Sequence, residues 1–236
     1  MVLGRQLGCS DPKKPNRYFS DAQFRCCLRD RLDLPLPVGL GQCQHRKSVP
    51  GTSTKTACGK VLDHRGVHAK VCGCSGWSGK RHDGLRDVLC AWAGTHGCTE
   101  SKETVLPYAA PGLDEARLDA VVRAASAAGR QLIDVTVVTP LTQEMLRHGT
   151  SARVAGAAAS AAARYKRGKY PLVSMIPFVI EHYGRWGADA LALAKRLAPG
   201  PDRGRSEALS TLYQDISCAL QRANADAIIS AAQTYR

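Results

Sequence analysis

Two aspartates and a lysine are the residues of this chain best placed to do chemistry. Asp119 interrupts the apolar run Leu118-Asp119-Ala120-Val121-Val122, and Asp134 interrupts Leu132-Ile133-Asp134-Val135-Thr136-Val137-Val138. Acidic residues are depleted in strands. Two carboxylates on adjacent strands repel each other unless a cation lies between them. Hard divalent cations such as Mg²⁺ or Mn²⁺ favour oxygen clusters of this kind and activate water towards a phosphate. Glu103 offers a third oxygen ligand, with Glu100 as its near competitor. Lys166 and Lys169 close the Ala-rich segment that follows, where a lysine can neutralise a scissile phosphate. The plainer alternative is that both aspartates face solvent and the lysines are a helix end favoured by the dipole. Spacing alone does not choose between the two.

A second group comes earlier. Cys43, Cys58, His68 and Cys72 stand in an order that can close a tetrahedral Zn²⁺ site, with Cys74, His45 and His64 as competing ligands. His68 and Cys72 have a common ligand-pair spacing, whereas the first pair is unusually wide. Segment 38–80 is rich in Gly, Cys, His and Lys and has almost no hydrophobic periodicity. It cannot fold on burial alone, so it needs a staple such as a metal. A closed four-ligand site is structural and is assigned to folding and nucleic-acid positioning. The alternative is a set of loop cysteines and histidines with no metal. Cys26, Cys27, Cys90 and Cys218 lie in apolar helical surroundings and read as core residues.

The elements that must position these groups can be read from local pattern. Ser20 caps a helix over Asp21 to Arg31, with Gln23 completing a capping box. Leu85, Val88, Leu89 and Trp92 form one face of a helix stopped at Gly94 or Gly97. Strands are expected at Thr104 to Leu106, Arg117 to Arg123, Gln131 to Thr139 and Leu172 to Ile180, with a hairpin turn at Gly129 between the second and third. Helices are expected over Ser151 to Arg167, Gly187 to Leu197 and Ser206 to Tyr235, the last one preceded by a linker from Pro199 to Gly204. Trp77, Trp92 and Trp186 read as core aromatics.

Composition supports a folded, basic protein. The 236 residues are 44% hydrophobic and 22% charged, with a formal net charge of +13. That balance favours an anionic partner, nucleic acid being the commonest. No apolar leader opens the sequence and no run of about 18 apolar residues exists, so no membrane span is expected. Clustered cysteines beside histidines then suggest a reducing, intracellular compartment.

The run Cys58-Gly-Lys-Val-Leu-Asp-His-Arg-Gly-Val-His68-Ala-Lys-Val-Cys72, followed by Lys80-Arg-His-Asp83-Gly-Leu-Arg-Asp87, resembles the region after the reverse transcriptase in site-specific non-LTR retrotransposons. In that family a Cys-Cys-His-Cys knuckle precedes a restriction-like endonuclease domain of the PD-(D/E)xK superfamily. The nuclease motifs are matched here by Arg117-Leu118-Asp119, by Asp134 in Asp-Val-Thr-Val, and by Lys166-Arg-Gly-Lys169-Tyr170. The resemblance covers about Arg25 to Ala194. It departs from the pattern at Leu118, which replaces a proline, at Thr136, where the superfamily usually has its lysine, and in the wide spacing before Cys58. Lys166 is therefore the candidate lysine.

The resemblance implies an α+β fold: a restriction-endonuclease-like core with a mixed central sheet flanked by helices, a small N-terminal zinc knuckle and C-terminal helices. The expected segments are 1–37, a basic stretch and helix; 38–80, the knuckle; 81–198, the nuclease core; and 199–236, a helical extension. The implied activity is nuclear, metal-dependent hydrolysis of DNA phosphodiesters. Asp119, Asp134, Glu103 and Lys166 would be catalytic, and Arg81, His82, Arg117 and Lys169 would contact nucleic acid, with a structural role bridging knuckle and nuclease as the alternative for Arg81 and His82. DNA is the implied partner and the element's RNA a second candidate. The alternative is an inactive nucleic-acid-binding zinc-knuckle fragment.

Overall fold

A computed structural model describes residues 17–36, 41–105, 117–123 and 129–232. The chain divides into two compact units, Met1–Asp83 with Ser217–Arg236, and Gly84–Ile216. The division falls inside two long helices, after Asp83 and after Ile216.

The first unit opens with α1 (Asp21–Arg31), whose capping box forms as the sequence requires: Ser20 accepts from the Gln23 N–H, and the Gln23 side chain accepts from the Ser20 N–H. An antiparallel hairpin follows, β1 (Arg46–Ser48) and β2 (Lys55–Ala57). After it come the short α2 (Val67–Val71) and the beginning of α3 (Trp77–Thr95). Its core gathers Cys26, Cys27, Leu36, Cys43, Leu62, Ala69 and Cys72 with Ala225, Ile228 and Ala231 of the C-terminal helix. A buried ion pair, Lys70 Nζ to Asp30 Oδ1 at 2.7 Å, ties α2 to α1.

The second unit holds a four-stranded sheet in the order β3-β4-β5-β6: β3 (Thr99–Val105), β4 (Arg117–Arg123), β5 (Gln131–Val138) and β6 (Met175–Glu181). The first three strands are antiparallel, and β5 and β6 are parallel. A parallel pair needs a crossover, which α4 (Gln143–Arg147), α5 (Thr150–Arg153) and α6 (Ala157–Lys169) provide. The expected Ala-rich helix is broken at Gly156, whose φ of 76° is left-handed. After β6 come α7 (Ala188–Leu197) and α8 (Asp202–Ala232), which is continuous through 31 residues and starts inside the expected linker. One sheet face, with Leu118, Ala120, Val122, Ile133, Val135, Phe178 and Ile180, is buried. Trp92 also lies in this unit's core, its indole N–H donating to the Ala208 carbonyl at 3.0 Å. The fold is α+β with a mixed central sheet flanked by helices, as expected.

Candidate functional site

Asp119 and Asp134 meet through strand register. The β4–β5 pairing ends at Ala120↔Ile133. One rung further, Asp119 stands across from Asp134, and residues directly opposite in an antiparallel pair share a face. The Asp119 side chain takes the next backbone donor itself: Val135 N–H donates to its Oδ2 at 2.6 Å. Register also puts β3 in the same row, because Lys102↔Ala120 and Thr104↔Leu118 bracket Glu103 opposite Asp119. The Glu103 side chain lies outside the described residues.

Lys166 comes from α6. Ala159, Ala163 and Lys166 follow one another at helical spacing, and Ala159 and Ala163 pack on Val179. Small alanines let the helix sit close to the sheet, and Lys166 Nζ then reaches Asp134 Oδ2 at 2.7 Å. Thr136 Oγ1 donates to the same oxygen at 3.2 Å. Asp134 is 2% exposed. Burial, and after it the neighbouring charge of Asp119, pushes its carboxyl above the ordinary range, although Lys166 and Thr136 pull the other way. The site thus holds a buried carboxylate, a second carboxylate on the adjacent strand and one lysine. Beside it, on the same face, Thr99, Ser101, Val121, Arg123, Arg130 and Leu132 line most of a cavity of about 380 Å³.

The other expected contacts divide. Arg81 is 3% exposed, and its guanidinium donates to the Lys70 carbonyl and to Asn224. It is a buried brace within the first unit, the structural alternative to the expected nucleic-acid contact. His82 is half-buried with Nδ1 3.1 Å from Asp83. Arg117 is exposed at the head of β4, and Lys169 is exposed with its amine 5.0 Å from the centre of the Tyr170 ring.

The cysteine–histidine group is more compact. The ligand atoms of Cys43, Cys58, His68 and Cys72 all lie within 4.8 Å of one another. Cys43 Sγ and Cys72 Sγ are 3.8 Å apart, and Cys58 Sγ is 3.3 Å from His68 Nε2. A tetrahedral zinc with Zn–S bonds of about 2.3 Å requires sulfur–sulfur edges of about 3.8 Å. The four residues form a Cys₃His cluster able to bind zinc. Cys74, His45 and His64 are not part of it. His45 is instead buried, with Nε2 2.9 Å from Ser230 Oγ.

Local structure explains why the wide first spacing still closes. Cys43 and Cys58 stand at the base of the β1–β2 hairpin, where Cys43 N–H donates to the Lys60 carbonyl and Cys58 N–H to that of His45. The fold-back makes the two cysteines diagonal neighbours on one face. His68 and Cys72 are one helical turn apart on α2. Asp63 fixes that turn by accepting from the N–H groups of Arg65, Val67 and His68. Burial alone would raise its carboxyl; the backbone donors, those of His68 and Val67 foremost, outweigh burial and hold it below the ordinary range.

Two positioning residues escape sequence reasoning. Asp63 is one, although an Asp just before a short Gly-led turn is a recognisable signal. The other is Glu181 in its capping role, since the sequence marks it only within Glu181-His182-Tyr183-Gly184-Arg185, a run similar to a family segment or simple strand-end polarity: its Oε1 accepts from Ala159 N–H at 3.2 Å, in the first turn of α6, where Gly156 has no side chain to cap with. No model of a known protein family matches the chain, and no curated protein matches its sequence.

Proposed function

We propose that the second unit is a Mg²⁺- or Mn²⁺-dependent DNA endonuclease domain of the kind found in non-LTR retrotransposons, and that the Cys₃His cluster of the first unit is a structural zinc site. The observation that carries the reading is the row formed by Asp119 and Asp134 with Lys166 above it. A buried carboxylate at Asp134 beside the half-buried one at Asp119 costs stability, and a bound divalent cation would offset that cost.

In this reading Asp119 and Asp134, joined by Glu103, hold the divalent ion, which supplies Lewis acidity and an activated water when bound. Asp119 is aimed by the Val135 N–H and Asp134 by Thr136 Oγ1. Lys166 neutralises charge on the phosphate. Arg123 and Arg130, at the cavity beside the acids, and the exposed Arg117 and Lys169 grip the DNA backbone. Glu181 holds α6, and with it Lys166, in place. The net charge of +13 serves the same polyanion, and the implied compartment is the nucleus. Among the described residues no helix is long and apolar enough to cross a membrane.

One observation favours a second reading. Lys166 already pairs with Asp134 at 2.7 Å, an arrangement that also suits a decayed scaffold that binds nucleic acid without cutting it. A plasmid-nicking assay with Mg²⁺, comparing the protein with its Asp134→Ala variant, separates the two. Nicking by the parent alone supports the nuclease. DNA binding at moderate salt with no nicking by either protein leaves the scaffold reading.

A further inference from the structure

The wide gap between the first two ligands of the Cys₃His cluster is filled by a ribbon with no core of its own. Both strands, Arg46–Ser48 and Lys55–Ala57, are exposed along their whole length. Two-stranded ribbons of this kind are marginal in water by themselves. This one is anchored at its base by Cys43 and Cys58 and pinned at its tip by a Pro50-Gly51 turn, in which Gly51 has φ of 76° and Thr52 N–H donates to the Val49 carbonyl. A ribbon with both faces in water is available for contact outside the chain.

Its chemistry narrows the partner. The stretch 34–62 contains no Asp or Glu, while Arg46, Lys47, Lys55 and Lys60 all stand on or beside the ribbon. Register distributes them. Arg46 (opposite Ala57) and Lys55 (opposite Ser48) share one face, and Lys47 (opposite Thr56) lies on the other. A flat anionic surface would meet one face only. A groove with phosphates along both walls meets both. The major groove of B-form DNA is about 12 Å wide and admits a two-stranded ribbon, and the paired hydroxyls of Thr52 and Thr54, 2.7 Å apart near the tip, suit its polar floor.

We infer that the β1–β2 hairpin is a DNA-binding ribbon that enters the major groove of duplex DNA, with the Cys₃His cluster as its mount. This inference rests on the reading of the chain as a DNA-binding protein but not on cleavage.

The test is fluorescence anisotropy with the zinc-loaded full chain in Mg²⁺-free buffer, titrated against a 20-bp DNA duplex and an RNA duplex of the same sequence. The parent is compared with a variant carrying Arg46→Ala, Lys47→Ala and Lys55→Ala together, and with Lys47→Ala alone. The triple variant should lose at least tenfold in DNA affinity. Its log–log salt slope should become shallower by about 2–3, and that of the single variant by about 1, since each phosphate contact contributes about 0.9. RNA binding should change little, because the A-form major groove is too deep and narrow to admit the ribbon. Unchanged DNA affinity with unchanged zinc content would overturn the inference. So would equal losses on DNA and RNA. Because no cleavage is read, these outcomes stay distinct from failure of the nuclease reading.

Discussion

The two candidate metal sites are built on opposite principles. The Cys₃His cluster is closed: four soft ligands converge from a hairpin base and one helical turn, and a tetrahedral ion would leave no position open. The acidic site is incomplete by itself. It sets two hard carboxylates on adjacent strands beside one lysine, and burial pushes the Asp134 carboxyl above its ordinary range. A closed site stabilises the unit around it, whereas a site that buries a carboxylate keeps a stability cost that function must justify. The contrast predicts that the same kind of substitution acts in opposite directions in the two units.

The largest effect should come from Cys72→Ser. Structural zinc contributes on the order of 10 kcal/mol of folding free energy, so losing one ligand should abolish zinc retention and the cooperative melting of the first unit. Zinc content by elemental analysis and circular dichroism melts check this, and a chelator should reproduce it on the parent. At the acidic site Asp134→Asn should lower nicking by about 10³-fold or more, a loss of several kcal/mol of transition-state stabilisation, without lowering Tm. The sign follows from the raised carboxyl. A group whose pKa is higher folded than unfolded favours folding at low pH, and that contribution is lost as pH rises through the folded value. At neutral pH the charge of Asp134 therefore costs stability, and asparagine removes that cost. A clear fall in Tm would make the carboxylate structural, like the cysteines.

Lys166→Met sharpens the same contrast. It leaves the Asp134 charge buried without its ammonium partner and should destabilise by about 3 kcal/mol. Added Mg²⁺ should recover part of the lost Tm in this variant and less in the parent. Glu181→Gln should be smallest, about 0.5–1 kcal/mol, because it weakens one charge-assisted bond at the α6 N-terminus, and it should lower nicking while leaving DNA affinity alone.

Legibility in the sequence followed the range of each interaction. The α1 cap was plain because Ser20 and Gln23 are three residues apart. The aspartates were legible as charges in apolar runs, but their meeting depended on a register that no local pattern contains. β3 begins at Thr99 rather than Thr104, since its polar stretch Thr99-Glu100-Ser101-Lys102 on a sheet edge carries no apolar alternation. Likewise β6 begins at Met175 rather than Leu172, because Leu172 is exposed outside the sheet. The four cluster ligands were named from type and order, yet their closure depended on a hairpin whose exposed strands carry no hydrophobic signal. Arg81 could be read either as a phosphate contact or as a brace; it is a buried brace, and its partners Lys70 and Asn224 come from elsewhere in the chain.

Direct titration of the zinc-loaded protein with Mn²⁺, followed by electron paramagnetic resonance, addresses the acidic site without relying on cleavage. The account predicts stoichiometric Mn²⁺ binding by the parent that is lost in both Asp119→Asn and Asp134→Asn while zinc content stays constant. Equal Mn²⁺ binding in all three proteins, or none in the parent, would contradict it.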